Sequence, residues 1–146
     1  MNRAATDGFH SVLARFDGLR AVVVGEAILD VYRDGRVRRL SPDGPFPVVE
    51  ESGRRAVLGG AGNVAANLAA LGAKVELVSA VGDDPAADEL RALAAEAGVG
   101  TGALLQVTDR STLVKERVVG EGRSLIRLDS GTKDPLPETV EHGLVA

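Results

Sequence analysis

Gly59, Gly60 and Gly62 stand just before Asn63 at the head of LGGAGNVAANLAALGA, residues 58–73. Glycines at the mouth of a helix let backbone N–H groups come close to an anion or a sugar ring, because no Cβ intervenes. Asn63 brings both an amide donor and an acceptor, which suits a hydroxyl that gives and takes. Spelled as Gly60-x-Gly62-x-x-Ala65, the run also fits a dinucleotide-binding fingerprint, in which a pyrophosphate sits on the helix N-terminus. That fingerprint requires a strand directly before the loop and an acid at the end of the following strand. Here the following strand, KVELVSAVG, ends in Ser79, Ala80 and Val81, and its one acid, Glu76, lies in mid-strand. A phosphate loop fails because no Lys-Ser/Thr follows the glycines. The plain alternative is a tight turn that packs a helix start on a sheet, with Asn63 as a cap.

Other residues of chemical promise lie on either side. Asp30 is placed at the end of the first strand, at the carboxyl edge where open α/β sheets hold ligands; a solvated turn is its plain alternative. Lys115 and Arg117 are two residues apart and so share one face of a strand. Such a pair can grip a phosphate, the arginine in bidentate fashion, or can simply be a solvated charged face. Arg38, Arg39 and Arg127 are weaker candidates of the same kind. Asp83-Asp84 has the look of a metal pair, but Asp84 is accounted for as a helix cap before Pro85. His10 and His142 stand apart near the two ends with no acid or nucleophile patterned around them, and neither is assigned chemistry.

These side chains must be positioned by an alternation of strand and helix. LRAVVVG (19–25) reads as a strand buried on both faces, the kind found in parallel sheets. Asp34-Gly35 between extended runs is a hairpin signal. Pro42, Pro45 and Pro47 forbid a helix through 42–47. Val64, Leu68 and Leu71 give an amphipathic helix ended at Gly72, and Lys74–Gly82 is a second buried strand. Asp84 caps a helix that runs to Gly98, and Ala103–Val107 is a third strand. Strand–helix–strand–helix–strand is the order of a parallel α/β layer. STLVKERVV and SLIRLD then alternate about a GEG hairpin signal, and Pro137 opens a further helix. Phe9, Val12, Leu13 and Phe16 are spaced for a short helix at the start.

Composition agrees with a globular domain. The chain has 146 residues, 45% apolar and 26% charged, with 18 glycines. Aromatics are only 3%, so the core must be Ala, Val and Leu. A net charge of −4 gives no support for a nucleic-acid or membrane surface. With no cysteine there is neither a disulfide framework nor a thiolate zinc site. No apolar run reaches the length of a membrane span or a secretory leader, so a cytoplasmic setting is expected.

The glycine pair, Asn63, Ala65, Gly72 and Gly82 together resemble the first signature of the ribokinase-like (PfkB) carbohydrate kinases. In order, VVVGEAILDVY, RRLSPDGPFPVVE, GGAGNVAANLAALGAKVELVSAVGDDPAADEL and LVKERVVGEGRSLIRLD resemble the kinase domain of the heptose-7-phosphate kinases, over roughly residues 13–130. The resemblance implies an α/β fold, the N-terminal half of a ribokinase-like fold, with a parallel sheet flanked by helices and a small β lid. Residues 9–31, 59–110 and 130–146 would form the partial α/β substrate-binding domain, and 32–58 and 111–129 the lid. It implies that Asp30, Gly59, Gly60 and Asn63 meet sugar hydroxyls, and that Lys115 and Arg117 meet the phosphate of a sugar phosphate. The lid would close over sugar and ATP and exclude water.

The implied activity is ATP- and Mg2+-dependent phosphorylation of heptose 7-phosphate at O1, giving the 1,7-bisphosphate on the way to nucleotide-activated heptose. The family's glycine-alanine-glycine-aspartate segment, which carries the catalytic base, is not spelled in these residues. No catalytic residue is therefore assigned within the chain. The base and most ATP contacts are expected beyond residue 146, and the isolated chain is expected to be inactive. A homodimer through the lid, or association with a C-terminal half, is implied. Glu26 stands where that branch usually has aspartate, SPDGPFPVV replaces its usual Ser-Pro-Glu-Ala-Pro-Val-Pro run, and the paired glutamines before the last hairpin strand are missing. A non-catalytic sugar-phosphate-binding module and a Rossmann-type dinucleotide-binding domain are the rival expectations.

Overall fold

The computed structural model describes residues 10–145. Along the chain run β1 (Arg20–Val24), β2 (Ala27–Leu40), β3 (Pro47–Gly60), α1 (Ala61–Ala70), β4 (Lys74–Val81) and α2 (Pro85–Glu96). Then come β5 (Val99–Gly100), β6 (Leu104–Gln106), β7 (Leu113–Gly120), β8 (Arg123–Ser130) and α3 (Glu138–Val145). Residues 10–14 are helical; Phe9, expected in that helix, lies outside the described residues.

Two sheets result. In the first, β4 pairs in parallel with β1 on one side and with the short β5 and β6 on the other. In the second, the order is β3-β2-β7-β8, with β2 and β7 parallel and the outer pairs antiparallel. The core lies between them: Leu29 and Val31 of β2, Leu58 of β3, Ala65 of α1, Leu77 and Val81 of β4, and Leu90 of α2 are all buried.

The expected parallel order is present, but four local expectations are corrected. Asp30 does not end the first strand; it is the fourth residue of β2, in the second sheet. The chain leaves the parallel sheet at Gly25-Glu26, where Gly25 N–H bonds to the Val78 carbonyl (3.2 Å) and Ala27 N–H to Ser79 Oγ (3.0 Å). Asp34-Gly35 is not a hairpin but a bulge inside a 14-residue strand. Gly35 is needed there because a Cβ would lie 2.7 Å from the Glu50 carbonyl oxygen of the neighbouring strand. The actual turn is 41–46, closed by Ser41 N–H on the Phe46 carbonyl (2.8 Å), within the proline-rich run.

The helix α1 packs through its small residues. Ala65 is fully buried, whereas Val64 and Leu71, expected on the inner face, are 51% and 44% exposed. Its entry is fixed by Ala61 N–H on the Glu26 carbonyl (2.8 Å), and this turns Gly62 and Ala65 inward. Nor is β1 buried on both faces: Val22 and Val24 are 66% and 65% exposed. On that face α3 packs over β4 and β6, and Val22 and Val24 of β1 keep most of their surface exposed.

The Asp84 cap is borne out. Its Oδ1 accepts the Ala87 N–H (2.9 Å), Pro85 opens the helix, and Oδ2 accepts the Thr112 N–H (2.8 Å) from the start of β7. Burial alone would raise this carboxyl, but the Thr112 and Ala87 N–H groups, with the Thr112 hydroxyl and the Ala86 N–H, outweigh it and hold the pKa below its ordinary value. A depressed folded-state pKa means that the contribution is present above the unfolded value and is lost as pH falls through the folded one. Asp84→Ala is therefore expected to cost about 2–4 kcal/mol at pH 7, from the lost cap and the orphaned Thr112 N–H. The difference should shrink in acid. Urea unfolding of both proteins at pH 7 and pH 3 checks it, and equal midpoints at pH 7 would count against it.

Candidate functional site

Strand alternation and register gather the polar candidates on one face of the mixed sheet, the face turned away from α2. Reading across the sheet, one row is Val57, Asp30, Lys115 and Asp129. The next row is Arg55, Tyr32, Arg117 and Arg127. Beneath them lie Gly59, Ile28 and Leu113. The two rows hold four cations, Lys115, Arg55, Arg117 and Arg127, against two carboxylates, Asp30 and Asp129. The face is positive although the chain is acidic.

Asp30 is the centre of this face. Its Oδ1 accepts from Arg117 Nη1 at 2.6 Å, and both side chains are largely covered, 19% and 24% exposed. Its other oxygen packs against Gly59, where a Cβ would also lie 2.9 Å from Asp30 Cγ. Gly59 is thus required by the rotamer of Asp30. The hydrogen bond that Arg117 donates to Asp30, opposed by burial, raises the Arg117 guanidinium above its ordinary value, so it stays charged. Arg117 also lies 5.1 Å from the centre of the Tyr32 ring, and Arg55 lies over the same ring at 3.8 Å. These contacts stiffen the arginines by cation–π attraction.

Gly60 forms the junction between β3 and α1, with φ 55° and ψ −133°. Asn63 follows in the first turn of α1. It does not cap the helix: no side chain does, and Asn63 Oδ1 instead accepts from Asn67 Nδ2 at 3.3 Å. Its side chain is exposed and makes no contact with Asp30 among the hydrogen bonds and ion pairs of the described residues. The structure therefore brings Asp30, Gly59, Lys115 and Arg117 together, and places Asn63 at the helix entrance that Gly59 and Gly60 lead into.

Beside Asp30 opens a cleft of about 300 Å3 whose lining includes Ile28, Leu113, Lys115, Arg127, Asp129 and Lys133. Arg127 holds Asp129 through Nε (2.7 Å) and Nη2 (3.1 Å). The hydrogen bond from Arg127, opposed by burial and helped by the charges of Arg127, Lys133 and Lys115, keeps the Asp129 carboxyl below its ordinary pKa. Of the weaker candidates, Arg38 pairs with Glu50 (3.5 Å) on the surface, away from this cleft. Sequence reading missed Tyr32, Arg55, Asp129 and Lys133. Counting by twos from Asp30 reaches Tyr32; the others need the register of partner strands or a turn far along the chain.

On the opposite face, Arg33 pairs with Glu116 and with Glu51 (3.2 Å), and Arg54 makes a bidentate pair with Glu89 of α2 at 2.7 Å. These pairs bind the sheet together and tie it to the helix. Among the described residues no group of three or more His, Asp or Glu side chains is placed to hold a metal ion. No described helix is long and apolar enough to cross a membrane.

The family described as pfkB family carbohydrate kinase matches residues 19–142. The bifunctional protein HldE of Mesorhizobium japonicum is 39% identical over 144 residues, which cover 99% of this chain and 29% of that protein. The D-beta-D-heptose 7-phosphate kinase of Bordetella bronchiseptica is 46% identical over 110 residues, 75% of this chain and 35% of that protein. Among solved structures, ribokinase from Cryptococcus neoformans var. grubii serotype A in complex with ADP aligns with a TM-score of 0.59 at 26% identity, over 82% of this chain and 37% of that one. The chain thus spans between 29% and 37% of the length of these relatives.

Proposed function

We propose, from the premise that this chain belongs to the pfkB carbohydrate kinase family, that it is the sugar-holding part of an ATP-dependent kinase for heptose 7-phosphate, acting at O1 to give the 1,7-bisphosphate. The observation that carries this reading is the fixed carboxylate of Asp30 on a positively charged sheet face. Arg117 and Gly59 set its rotamer, and Lys115 is its register neighbour. A carboxylate held in this way can accept two hydroxyls of a polyol without reorganising, and the glycine pair lets the ring approach the backbone. Asn63 supplies a further donor and acceptor at the helix entrance, and Lys115 and Arg117 supply charge for the phosphate.

In this reading the mixed sheet is a lid above residues 59–110, and its closure excludes water that would otherwise compete as phosphoryl acceptor. The protein works in the cytoplasm, and the lid's outer strand offers a dimer contact. ATP supplies the transferred phosphoryl group with Mg2+ as its counter-ion. The residues of this chain bind and orient the acceptor. No glycine-alanine-glycine-aspartate segment is spelled among the 146 residues, so on their own they bind sugar without turning it over.

Calorimetry of the purified chain with heptose 7-phosphate, ATP and NAD tests this. Saturable binding of heptose 7-phosphate that does not require ATP is expected. Tight binding of NAD with none of the sugar phosphate would replace the kinase reading with a dinucleotide-binding one.

A further inference from the structure

The mixed sheet is held to the rest of the molecule at two places of different kinds. At its root, where β2 and β7 begin and β3 ends, hydrogen bonds fix it. Ala27 N–H donates to Ser79 Oγ, Gly82 N–H donates to the Thr112 hydroxyl, and Ala61 N–H donates to the Glu26 carbonyl. Buried side chains of the core add to this hold, but they stop early. Outward from Tyr32 no residue of β2 is buried, and none of β3 from Pro47 to Val57. Beyond that point, among the described residues, one ion pair joins the mixed sheet to the parallel layer: the bidentate contact of Arg54 with Glu89 of α2. The register partner of Arg54 is Arg33, six residues along β2 from Ala27, so the pair lies roughly 20 Å out from the root.

This contact is well defined and yet releasable. A bidentate arginine–carboxylate pair fixes direction as well as distance. Both side chains are partly exposed, and such pairs add little to folding stability and weaken with salt. Arg54 also has a second set of acids at hand. Glu51 and Glu116, which bond to Arg33 on the same face, attract it as well. The bulge is what puts Glu51 there. Residues 51 and 54 would project to opposite faces of a regular strand. The register shift at Asp34-Gly35 brings Glu51 round to Arg33, and Ser52 Oγ secures the bulge by donating to the Asp34 carbonyl (3.2 Å). A released Arg54 therefore stays beside acids of its own sheet, and a released Glu89 faces water.

We infer that Arg54 and Glu89 form a salt-sensitive clasp that holds the mixed sheet down on α2, and that opening it lets the sheet swing about its root. This rests on the reading of the mixed sheet as a lid, and names the contact that governs it. Asp30 moves with the sheet and Asn63 stays with α1, so the swing changes the separation of two groups assigned to the sugar. Past Gly35, whose register partner Gly120 ends β7, β2 and β3 continue as a two-stranded ribbon. The ribbon magnifies the motion. Leu40 ends the 14-residue β2. It lies roughly 40 Å from the root, and a swing of roughly 10° carries it roughly 7 Å.

The chain has no cysteine, so two introduced ones carry the only spin labels: Asp43→Cys in the 41–46 turn and Ala95→Cys on α2, both at exposed positions. Double electron–electron resonance on the labelled full chain, with no ligand present, reads the swing without reference to any sugar. One narrow distance is expected at low salt. Glu89→Gln should add a second population displaced by several ångströms. Salt at about 1 M should do the same without that substitution, since screening then acts within about 3 Å. Glu96→Gln is the control: the residue is on the same helix and has no ion pair among the described residues, and its distances should match those of the parent. Far-ultraviolet circular dichroism confirms that the variants are folded. Glu89→Gln distances that superpose on the parent's overturn the clasp. If both are narrow even in salt, the sheet is rigidly seated and the lid reading falls with the clasp. If both are broad from the start, the sheet swings and the lid reading stands without it. An equal effect of Glu96→Gln also overturns the clasp, because the charge of the helix and not the contact is then the cause.

Discussion

Replacing Gly60 by alanine is expected to lower stability by about 3 kcal/mol or more, a melting-temperature drop on the order of 10 °C. The residue combines a left-handed φ of 55° with an extended ψ of −133°, a conformation that residues with a Cβ rarely adopt. A Cβ would also press on the Glu26 carbonyl and lie 3.1 Å from Ile28 Cδ1. That carbonyl is the acceptor for Ala61 N–H, the bond that fixes the start of α1. Strain, overlap and a disturbed helix entry therefore add at one position. Gly53→Ala is the control: it lies in the same strand, with nothing within 4 Å of its added Cβ, and should change the melting temperature little. Thermal unfolding of the two variants beside the wild type measures the difference. A Gly60→Ala protein that melts with the wild type would show that the junction has another conformation.

The second large effect is on binding. Asp30→Ala should weaken heptose 7-phosphate by about 1–3 kcal/mol, about 5- to 150-fold, because a buried polar partner is left unpaired and Arg117 loses its anchor. Asn63→Ala should fall in the same range for the lost hydroxyl contact. Gly59→Ala should follow Asp30→Ala in direction while keeping the carboxylate, since its methyl occupies the space of Asp30 and forces another rotamer. This variant separates the position of the carboxylate from its presence. Calorimetry on all three variants provides the check, and unchanged affinity throughout would remove the proposed hydroxyl site.

The ribokinase-like α/β fold was legible in the sequence where local chemistry decides structure. Asp84, Pro85 and Gly98 mark the start and end of α2 by rules that act within a few residues. Glu121-Gly122 was readable as the β7–β8 turn because a tight hairpin needs positive φ at both central residues, here 50° and 73°. Asp34-Gly35 carries the same kind of signal, yet forms a bulge. The outcome depends on the register of β2 against β3, which no short window contains. The failure at α1 has the same origin. Periodicity marks apolar residues but not which of two apolar faces packs, and small residues won because they let α1 come close to β4.

The candidate site divides similarly. Asp30, Gly59, Gly60 and Asn63 could be read from residue types near a strand and a helix start. That Asp30 meets Arg117, 87 residues away, follows only from the parallel pairing of β2 with β7. Lys133 depends on a turn secured by Thr132 and Ser111, and a lone lysine in a polar tail gives no hint of that. Glu26 stands where the resembled branch usually has aspartate, and the structure puts it in the lining of the cleft.

The most direct measurement is amide chemical-shift mapping of the isotope-labelled chain during titration with heptose 7-phosphate. The account predicts saturable shifts gathered at residues 28–30, 59–63 and 113–117, with the parallel sheet of β1, β4, β5 and β6 quiet. Saturable binding whose shifts avoid Asp30 and the glycine pair altogether would contradict it.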